Sequence, residues 1–306
     1  FILSVTLATG ITAQNPIGSP IYGGAGDRAG NNVIMPDTQT LATSFRQDFG
    51  TIKGKGSVQV YHWDGSAWNT RGSLLVGQSR YDYLGYGLDM PSAYTLAAGA
   101  PKNDNAGTDA GMVRIYDWDG TDYIQRGSDL LGTAATDFFG YSLSMADSLT
   151  IAVGADRHDQ PGTDAGMVQV FRWNGSAWVQ KGADLKGGNA NDHFGWAVSM
   201  PDSNTLAVGA YGDGGADTSA GMVQVYAWDG SAWQPKGGEI QGEAAYDNSG
   251  FSLSMPDPGT IAVGAPSNGG AGFESGHARV FGWDGNNWIQ RGADIDGAAA
   301  GDKSGY

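Results

Sequence analysis

The sequence predicts an all-β protein, a β-propeller built from 55-residue repeats of four short strands. Three observations predict it. Trp63, Trp118, Trp173, Trp228 and Trp283 recur every 55 residues, each followed by Asp-Gly or, once, by Asn174-Gly175. Leu84-Gly85, Phe139-Gly140, Phe194-Gly195, Ser249-Gly250 and Ser304-Gly305 keep the same interval, as do Gly99-Ala100, Gly154-Ala155, Gly209-Ala210 and Gly264-Ala265. Met35, Met90, Met145, Met200 and Met255 fall in step, and no insertion breaks the register from Gly30 to Gly305. A fixed period of this length marks a fold of stacked supersecondary units.

Each element follows from local pattern. Gly166-Met-Val-Gln-Val-Phe-Arg-Trp173 alternates apolar and polar residues, as a strand does. Asn174-Gly175, Asp-Gly in the sister units, accepts the positive φ angles of a type I′ hairpin turn. Trp178–Lys181 is the second strand and stops at Gly182. A Gly-rich loop leads to the third, Phe194–Met200, and Pro201-Asp-Ser-Asn204 makes a tight turn. Thr205–Ala210 is the fourth, and a longer polar loop, residues 211–219, leads to the next unit. Repeated units of four strands read as propeller blades. The rival is an open β-solenoid, whose coils suit tight hairpins less well.

Composition sets the class. Gly is 51 of 306 residues, without a Gly-x-y period, so the glycines serve turns rather than a collagen helix. Hydrophobic residues reach 40%, enough for a core. The net charge of −15 and pI near 4.4 disfavour nucleic acid and anionic membranes as partners. The absence of cysteine excludes disulfides and thiol chemistry. No apolar run reaches the ~18 residues of a membrane span, so membrane insertion is not expected. Phe1–Gln14 reads as a first strand or as the remnant of a signal peptide. Residues 1–306 read as one repeat domain. Residues 1–30 are a degenerate first repeat or a leader, and 31–306 are regular repeats, about 5.5 repeats in all. A fragment of a longer protein fits best.

The third and fourth strands carry a known signature. Phe139-Gly140 with Gly154-Ala155-Asp156 and Phe194-Gly195 with Gly209-Ala210-Tyr211 resemble FG-GAP repeats of the integrin α-like propeller family. Gly99-Ala100-Pro101 and Gly264-Ala265-Pro266 keep GAP where the Phe varies. The resemblance covers residues from about 30 to 306. It implies a propeller, seven-bladed in the family, that binds protein or matrix. Seven such repeats would need about 385 residues. The resemblance also implies Asp-x-Asp-x-Asp-Gly calcium loops between the two strands. Here those turns are Pro91–Tyr94, Ala146–Leu149, Pro201–Asn204 and Pro256–Gly259, each with at most one carboxylate. Ca²⁺ takes six to eight oxygens, so no metal site is carried over and no cofactor is assigned, though calcium stays open at the loops that follow GAP.

Those loops vary between units while the strands do not, which is where binding sits on repeat folds. Candidate ligand-binding residues are Asp104, Asp109, Asp159, Asp164, Asp213, Asp217 and Glu274. The paired aromatics beside each hairpin (Trp63/Trp68, Trp118/Tyr123, Trp173/Trp178, Trp228/Trp233, Trp283/Trp288) read as cross-strand packing, with sugar platforms as the alternative. Asp27, Asp82, Asp137, Asp192, Asp247 and Asp302, two residues before each FG position, read as loop acceptors for backbone N–H. Arg71, Arg126, Lys181, Lys236 and Arg291 are expected to pair with Asp129, Asp184, Glu239 and Asp294 of their own units. Asn174 opens a glycosylation sequon on an exposed hairpin, usable if the source is eukaryotic.

Catalysis finds no motif. His62, His158, His193 and His277 share no phase and no zinc-type spacing, and no nucleophile elbow, phosphate loop or dinucleotide fingerprint occurs. The expectation is a non-enzymatic extracellular or cell-surface adhesion module that binds protein, matrix or glycan through variable blade loops. A structural repeat protein that self-assembles into a filament or coat, and a propeller lectin, are the alternatives.

Overall fold

The computed structural model describes residues 18–23, 27–46, 54–215 and 218–306; Phe1–Gln14 and Asp217 lie outside them. The described residues are all-β, in five sheets of one plan. The first blade holds β1 (Ala29–Asp37), β2 (Thr40–Phe45), β3 (Ser57–Trp63), β4 (Trp68–Thr70) and β5 (Leu75–Val76). The second holds β6 (Leu88–Ser92), β7 (Thr95–Ala100), β8 (Met112–Trp118), β9 (Tyr123–Gln125) and β10 (Leu130–Leu131). The third holds β11 (Ser142–Asp147), β12 (Thr150–Ala155), β13 (Met167–Trp173), β14 (Trp178–Gln180) and β15 (Leu185–Lys186). The fourth holds β16 (Ala197–Asp202), β17 (Thr205–Ala210), β18 (Met222–Trp228), β19 (Trp233–Pro235) and β20 (Ile240–Gln241). The fifth holds β21 (Ser252–Asp257), β22 (Thr260–Ala265), β23 (His277–Trp283), β24 (Trp288–Gln290) and β25 (Ile295–Asp296).

Four strands pair antiparallel in chain order, and a two-residue fifth returns to the third. The blade therefore begins at the FG strand. It takes its third and fourth strands from what the sequence reading treated as the start of the next unit. First strands touch in series, β1 with β6, β6 with β11, β11 with β16 and β16 with β21, so they are the inner strands of the propeller. The second strands of the middle three blades, β7, β12 and β17, are buried at every residue, because neighbouring blades cover both faces. For the same reason the first half of β13 is buried throughout, and alternation begins only toward Trp173.

Four apolar clusters fill the spaces between consecutive blades. Phe139 and Phe194 are fully buried in two of them. The glycines bring the blades this close. A Cβ on Gly99, Gly154, Gly209 or Gly264 would overlap the carbonyl oxygen of Gly140, Gly195, Gly250 or Gly305 in the next blade. Each FG position is also tied back to the blade before it: Phe194 N–H donates to Ala165 O at 3.0 Å, beside a parallel bridge to Gly166.

The outer corner corrects two expectations. The hairpin is not a two-residue turn: Trp63 pairs directly with Trp68, leaving the four-residue loop 64–67. Only the glycine of each loop has positive φ, 99–108° from Gly65 to Gly285. Asp64 instead accepts the N–H groups of Ser66 and Ala67, at 2.7 and 2.8 Å, and Asp119, Asn174, Asp229 and Asp284 repeat the bond. Those donors hold the Asp64 carboxyl well below its usual range.

The recurring cations also are not held by the acids expected of them, although Arg126 pairs with Asp117 of its own blade at 3.3 Å. They reach the next blade's aromatic pair. Arg71 lies 4.5 Å from the Trp118 ring, Lys181 4.9 Å from both Trp228 and Trp233, and Lys236 5.3 Å from Trp283. The Trp178, Trp233 and Trp288 indole N–H groups donate back to the carbonyls of Arg126, Lys181 and Lys236, at 3.1, 2.8 and 2.9 Å. A carboxylate offers a solvent-exposed cation little, whereas a ring face and turn carbonyls on the adjoining blade satisfy it while desolvated. Asp129 is taken instead by Arg114, at 2.8 Å. Gly127 sits under Trp173, where a Cβ would come within 2.7 Å; Gly18 sits under Trp63 in the same way, at 2.6 Å.

The close approach predicts a steric cost independent of φ. Gly209→Ala should destabilise by about 3 kcal/mol, at the upper end of overpacking. Gly238→Ala, which meets nothing within 4 Å, should change stability by less than about 0.5 kcal/mol. Urea unfolding of both variants decides it, and equal midpoints would refute the seam.

Candidate functional site

The inner strands and the loops after GAP meet on one face, because Gly85 N–H donates to Gly99 O at 2.8 Å. The residue after each FG glycine enters that face as an aromatic. Tyr86, Tyr141, Trp196, Phe251 and Tyr306 form a continuous ladder, with successive ring centroids 4.6, 4.7, 5.1 and 4.9 Å apart. The Tyr86 hydroxyl donates to that of Tyr141 at 2.9 Å. Burial pushes the Tyr141 hydroxyl far above its usual range, so it stays protonated.

Three cations from three blades gather beside this ladder. Arg46, Lys102 and Arg157 line a cavity of about 180 Å³ together with Tyr86, Tyr141 and Trp196. Arg46 stacks on Tyr83 at 4.6 Å, and Lys102 and Arg157 on Phe138 at 5.1 and 4.6 Å. The sequence reading missed this site, although the aromatic after each FG kept the 55-residue interval. Along the same face, the fully buried Asp156 stands 3.6 Å from His193 Nδ1, and the His193 ring stacks on Tyr211 at 4.9 Å. Burial raises the Asp156 carboxyl, with His193 opposing.

The predicted loop residues that are described follow GAP, and the structure uses several of them to hold loop shape. Asp104 accepts the N–H of Asp109 at 2.8 Å, and Asp159 that of Asp164 at 3.0 Å. Asp109, Asp164 and Glu274 take left-handed backbone, φ 52°, 52° and 50°, and their carbonyls accept N–H groups of the following blade. The Asp109 carboxylate is 3.6 Å from Lys102, and that of Glu274 is 3.2 Å from Lys303. Asn174 is exposed, with its Oδ1 engaged by Ser176 and Ala177. In the turns between first and second strands, Asp202 accepts the N–H of Asn204 at 2.8 Å.

The acids before each FG position are loop acceptors. Asp82, Asp137, Asp192 and Asp247 are buried and accept two or more loop donors, such as Gly188 and Asn189 N–H on Asp192, at 3.0 and 2.7 Å. In three blades a buried partner lies alongside: Asn103 on Asp82, His158 by Asp137, Asn268 on Asp247, each at 3.1 Å. The fourth blade has Asp213 in that place, buried and accepting the N–H of Gly215 at 2.8 Å.

Comparison with known proteins agrees with this geometry. A model of the FG-GAP repeat matches residues 132–171 and 186–226. The chain carries FG-GAP repeats. Integrin alpha-3 of Mus musculus is 24% identical over 246 residues, 76% of this chain and 21% of that protein. The FG-GAP chain thus spans about a fifth of that relative's length. Among solved structures, a proposed 6-phosphogluconolactonase of Bacteroides uniformis shares the fold with a TM-score of 0.59 at 10% identity, over 86% of this chain and 70% of that one. A second, from Bacteroides fragilis, gives 0.55 at 10% identity over 86% and 69%. These neighbours overturn the expectation that the chain is not an enzyme. The architecture that argued for a binding module is one that enzymes also use, so it does not exclude catalysis. At this identity the likeness shows fold alone and assigns no reaction.

The Asp213 substitution predicts a pH signature. Burial, and then the charge of Asp213, push the Asp192 carboxyl up. A group raised in the folded state binds more protons folded than unfolded, so stability falls as pH rises through that window. Asp213→Asn removes the second charge and restores the donor of the sister blades. It should stabilise by about 1 kcal/mol near neutral pH, with the gain shrinking as pH falls through the raised Asp192 window and gone below about pH 4, the ordinary Asp value. Thermal melts at both pH values test it, and a lower Tm at neutral pH would refute it.

Proposed function

We propose that this FG-GAP chain is an extracellular adhesion or interaction module of the cell surface. It binds a protein or matrix ligand through the face that carries the aromatic ladder and the loops after GAP. The observation that carries the reading is the cluster of Arg46, Lys102 and Arg157 on an aromatic-lined cavity of about 180 Å³, in a chain of net charge −15. Gathering three cations on one spot of so acidic a protein raises the local potential. It steers an acidic group of a partner toward that spot. The neighbouring rings supply apolar contact for the rest of the bound segment. The FG-GAP repeats and the integrin relative support the extracellular interaction class. Phe273, 81% exposed in the loop before β23, supports a contact surface on the variable loops.

The tryptophan pairs are less suited to sugar, since each packs against its own partner at 5.1–5.5 Å and against the preceding blade. The acidic-ligand reading is tested with an immobilised polyglutamate peptide and a panel of acidic matrix proteins. The probe is wild type against Arg157→Glu, an exposed position outside the seams. The charge reversal should weaken binding by about tenfold or more, and added salt should weaken the wild type. Failure of every probe to bind, or equal binding by the variant, would overturn the reading.

A further inference from the structure

Between the fourth and fifth blades the repeat departs from itself. The third strand opens with Met112, Met167 and Met222 in the second to fourth blades, and with His277 in the fifth. His277 is 1% exposed, and neither ring nitrogen has a hydrogen-bond partner. A buried imidazole left in that state is costly, and a native structure leaves few such groups. Two carboxylates face its Nδ1, Glu243 Oε2 at 4.0 Å and Asp294 Oδ2 at 3.8 Å. Glu243 departs from the repeat as well: the equivalent positions are Gln78, Thr133, Gly188 and Ala298.

Each carboxylate is already oriented by a donor on its other oxygen. Gln290 donates to Asp294 Oδ1 at 2.6 Å, and Arg279 lies 3.4 Å from Glu243 Oε1. In the second blade the equivalent of Arg279 is Arg114, which takes both oxygens of Asp129. Arg279 instead donates to Gln241 O at 2.7 Å, which leaves Asp294 Oδ2 to the histidine. The two acids therefore present one oxygen each to a buried imidazole, with the remaining oxygen held from behind. This is the arrangement in which outer partners fix metal ligands.

We propose that Glu243, His277 and Asp294 bind a zinc-class divalent cation between the fourth and fifth blades. The three ligand atoms lie within 4.8 Å of one another. Those distances are too long for direct hydrogen bonds to Nδ1. They are close to what a shared ion needs: ligands about 2.0–2.2 Å from a tetrahedral Zn²⁺ stand about 3.3–3.5 Å apart. The Nδ1 separations exceed that by about half an ångström, and the two carboxylates, which are not fully buried, are the groups that close the gap. One imidazole and two carboxylates, with no thiolate, suit Zn²⁺ over soft ions, and the nitrogen disfavours Ca²⁺ and Mg²⁺. Three protein ligands leave the fourth position to water. Sequence spacing concealed the site because its ligands come from a loop before the fifth blade, a strand start and an outer loop.

Zinc titration of the tag-free chain by calorimetry and thermal melting tests this. The wild type should bind one Zn²⁺ per chain and melt several degrees higher with zinc in hundredfold excess over its Kd. His277→Met, which restores the residue of three sister blades, should keep the metal-free melt within a few degrees and weaken zinc binding at least a hundredfold. Glu243→Gln, at a half-exposed position, should weaken it at least tenfold and guards against a folding defect in the first variant. Co²⁺ in the wild type should show visible absorption that His277→Met lacks. No zinc-dependent shift in the wild type, or an undiminished one in both variants, would overturn the site.

Discussion

A backbone carbonyl pressed against a bare α-carbon sets the geometry of this molecule. From the second blade to the fifth, the second-strand glycine meets the carbonyl of the FG glycine of the next blade, where a Cβ would overlap it; the first blade has Ser44 in that place. Because the contact is backbone on backbone, its spacing does not depend on which side chains surround it. The inner strands of those blades are thereby held close to the next. That separation stacks the residues after FG into a ladder at 4.6–5.1 Å. It also buries Phe139 and Phe194 in the clusters between blades. The inner edges are then closed by side chains of the preceding blade, as Ser144 Oγ accepts the N–H of Met200 at 2.9 Å. In the second blade Asp89 serves Met145, and burial pushes its carboxyl up while the amides of Met145 and Met90 oppose the shift.

The outer ends of the blades use a different interaction. A basic residue and a glycine at the end of one blade's fourth strand receive the aromatic pair of the next blade's hairpin. The cation covers a ring face, and the indole N–H returns a bond to the backbone. Each cation–π contact of this kind is worth about 0.5–2 kcal/mol. The inner seam sets distance and the outer clasp sets angle, so the two together define how one blade follows another. The hairpin tryptophans are committed to this clasp, and that commitment turns the ladder face into the surface available for recognition.

Most of the architecture was legible because a repeat states each structural requirement several times. Glycine at FG and GAP, Trp at the hairpin and Asp before FG recur because a seam, a clasp and a loop recur. Pairing partners were less legible. Arg71 and Lys181 sit near acids in sequence but near rings in space, and only the blade-to-blade twist decides between them. The turn type failed for a local reason: Asp64 caps the loop with its side chain, so only Gly65 needs left-handed backbone. The cationic cavity was hard to read because only Lys102 and Arg157 keep the 55-residue interval; Arg46 lies one position off it, and the later equivalents are Gly212 and Ser267.

Repetition makes departures informative. Where blades agree, a residue answers to the scaffold; where one blade differs, the scaffold has not required the change. Asp213 and His277 are both such departures, in places where sister blades hold a hydrogen-bond donor or a methionine. Both are buried, and the His277 ring nitrogens have no hydrogen-bond partner there, at a free-energy cost of about 1–3 kcal/mol. The consequences differ through their neighbours. Asp213 meets another carboxylate and gains nothing from it, so the fourth blade carries a strained pair. His277 meets two oriented carboxylates of opposite preference, so the same cost is relieved by any cation that joins them. Substitutions of equal size in equivalent places thus yield a liability in one blade and a coordination sphere in the next, decided by which oxygens the surrounding side chains have already engaged.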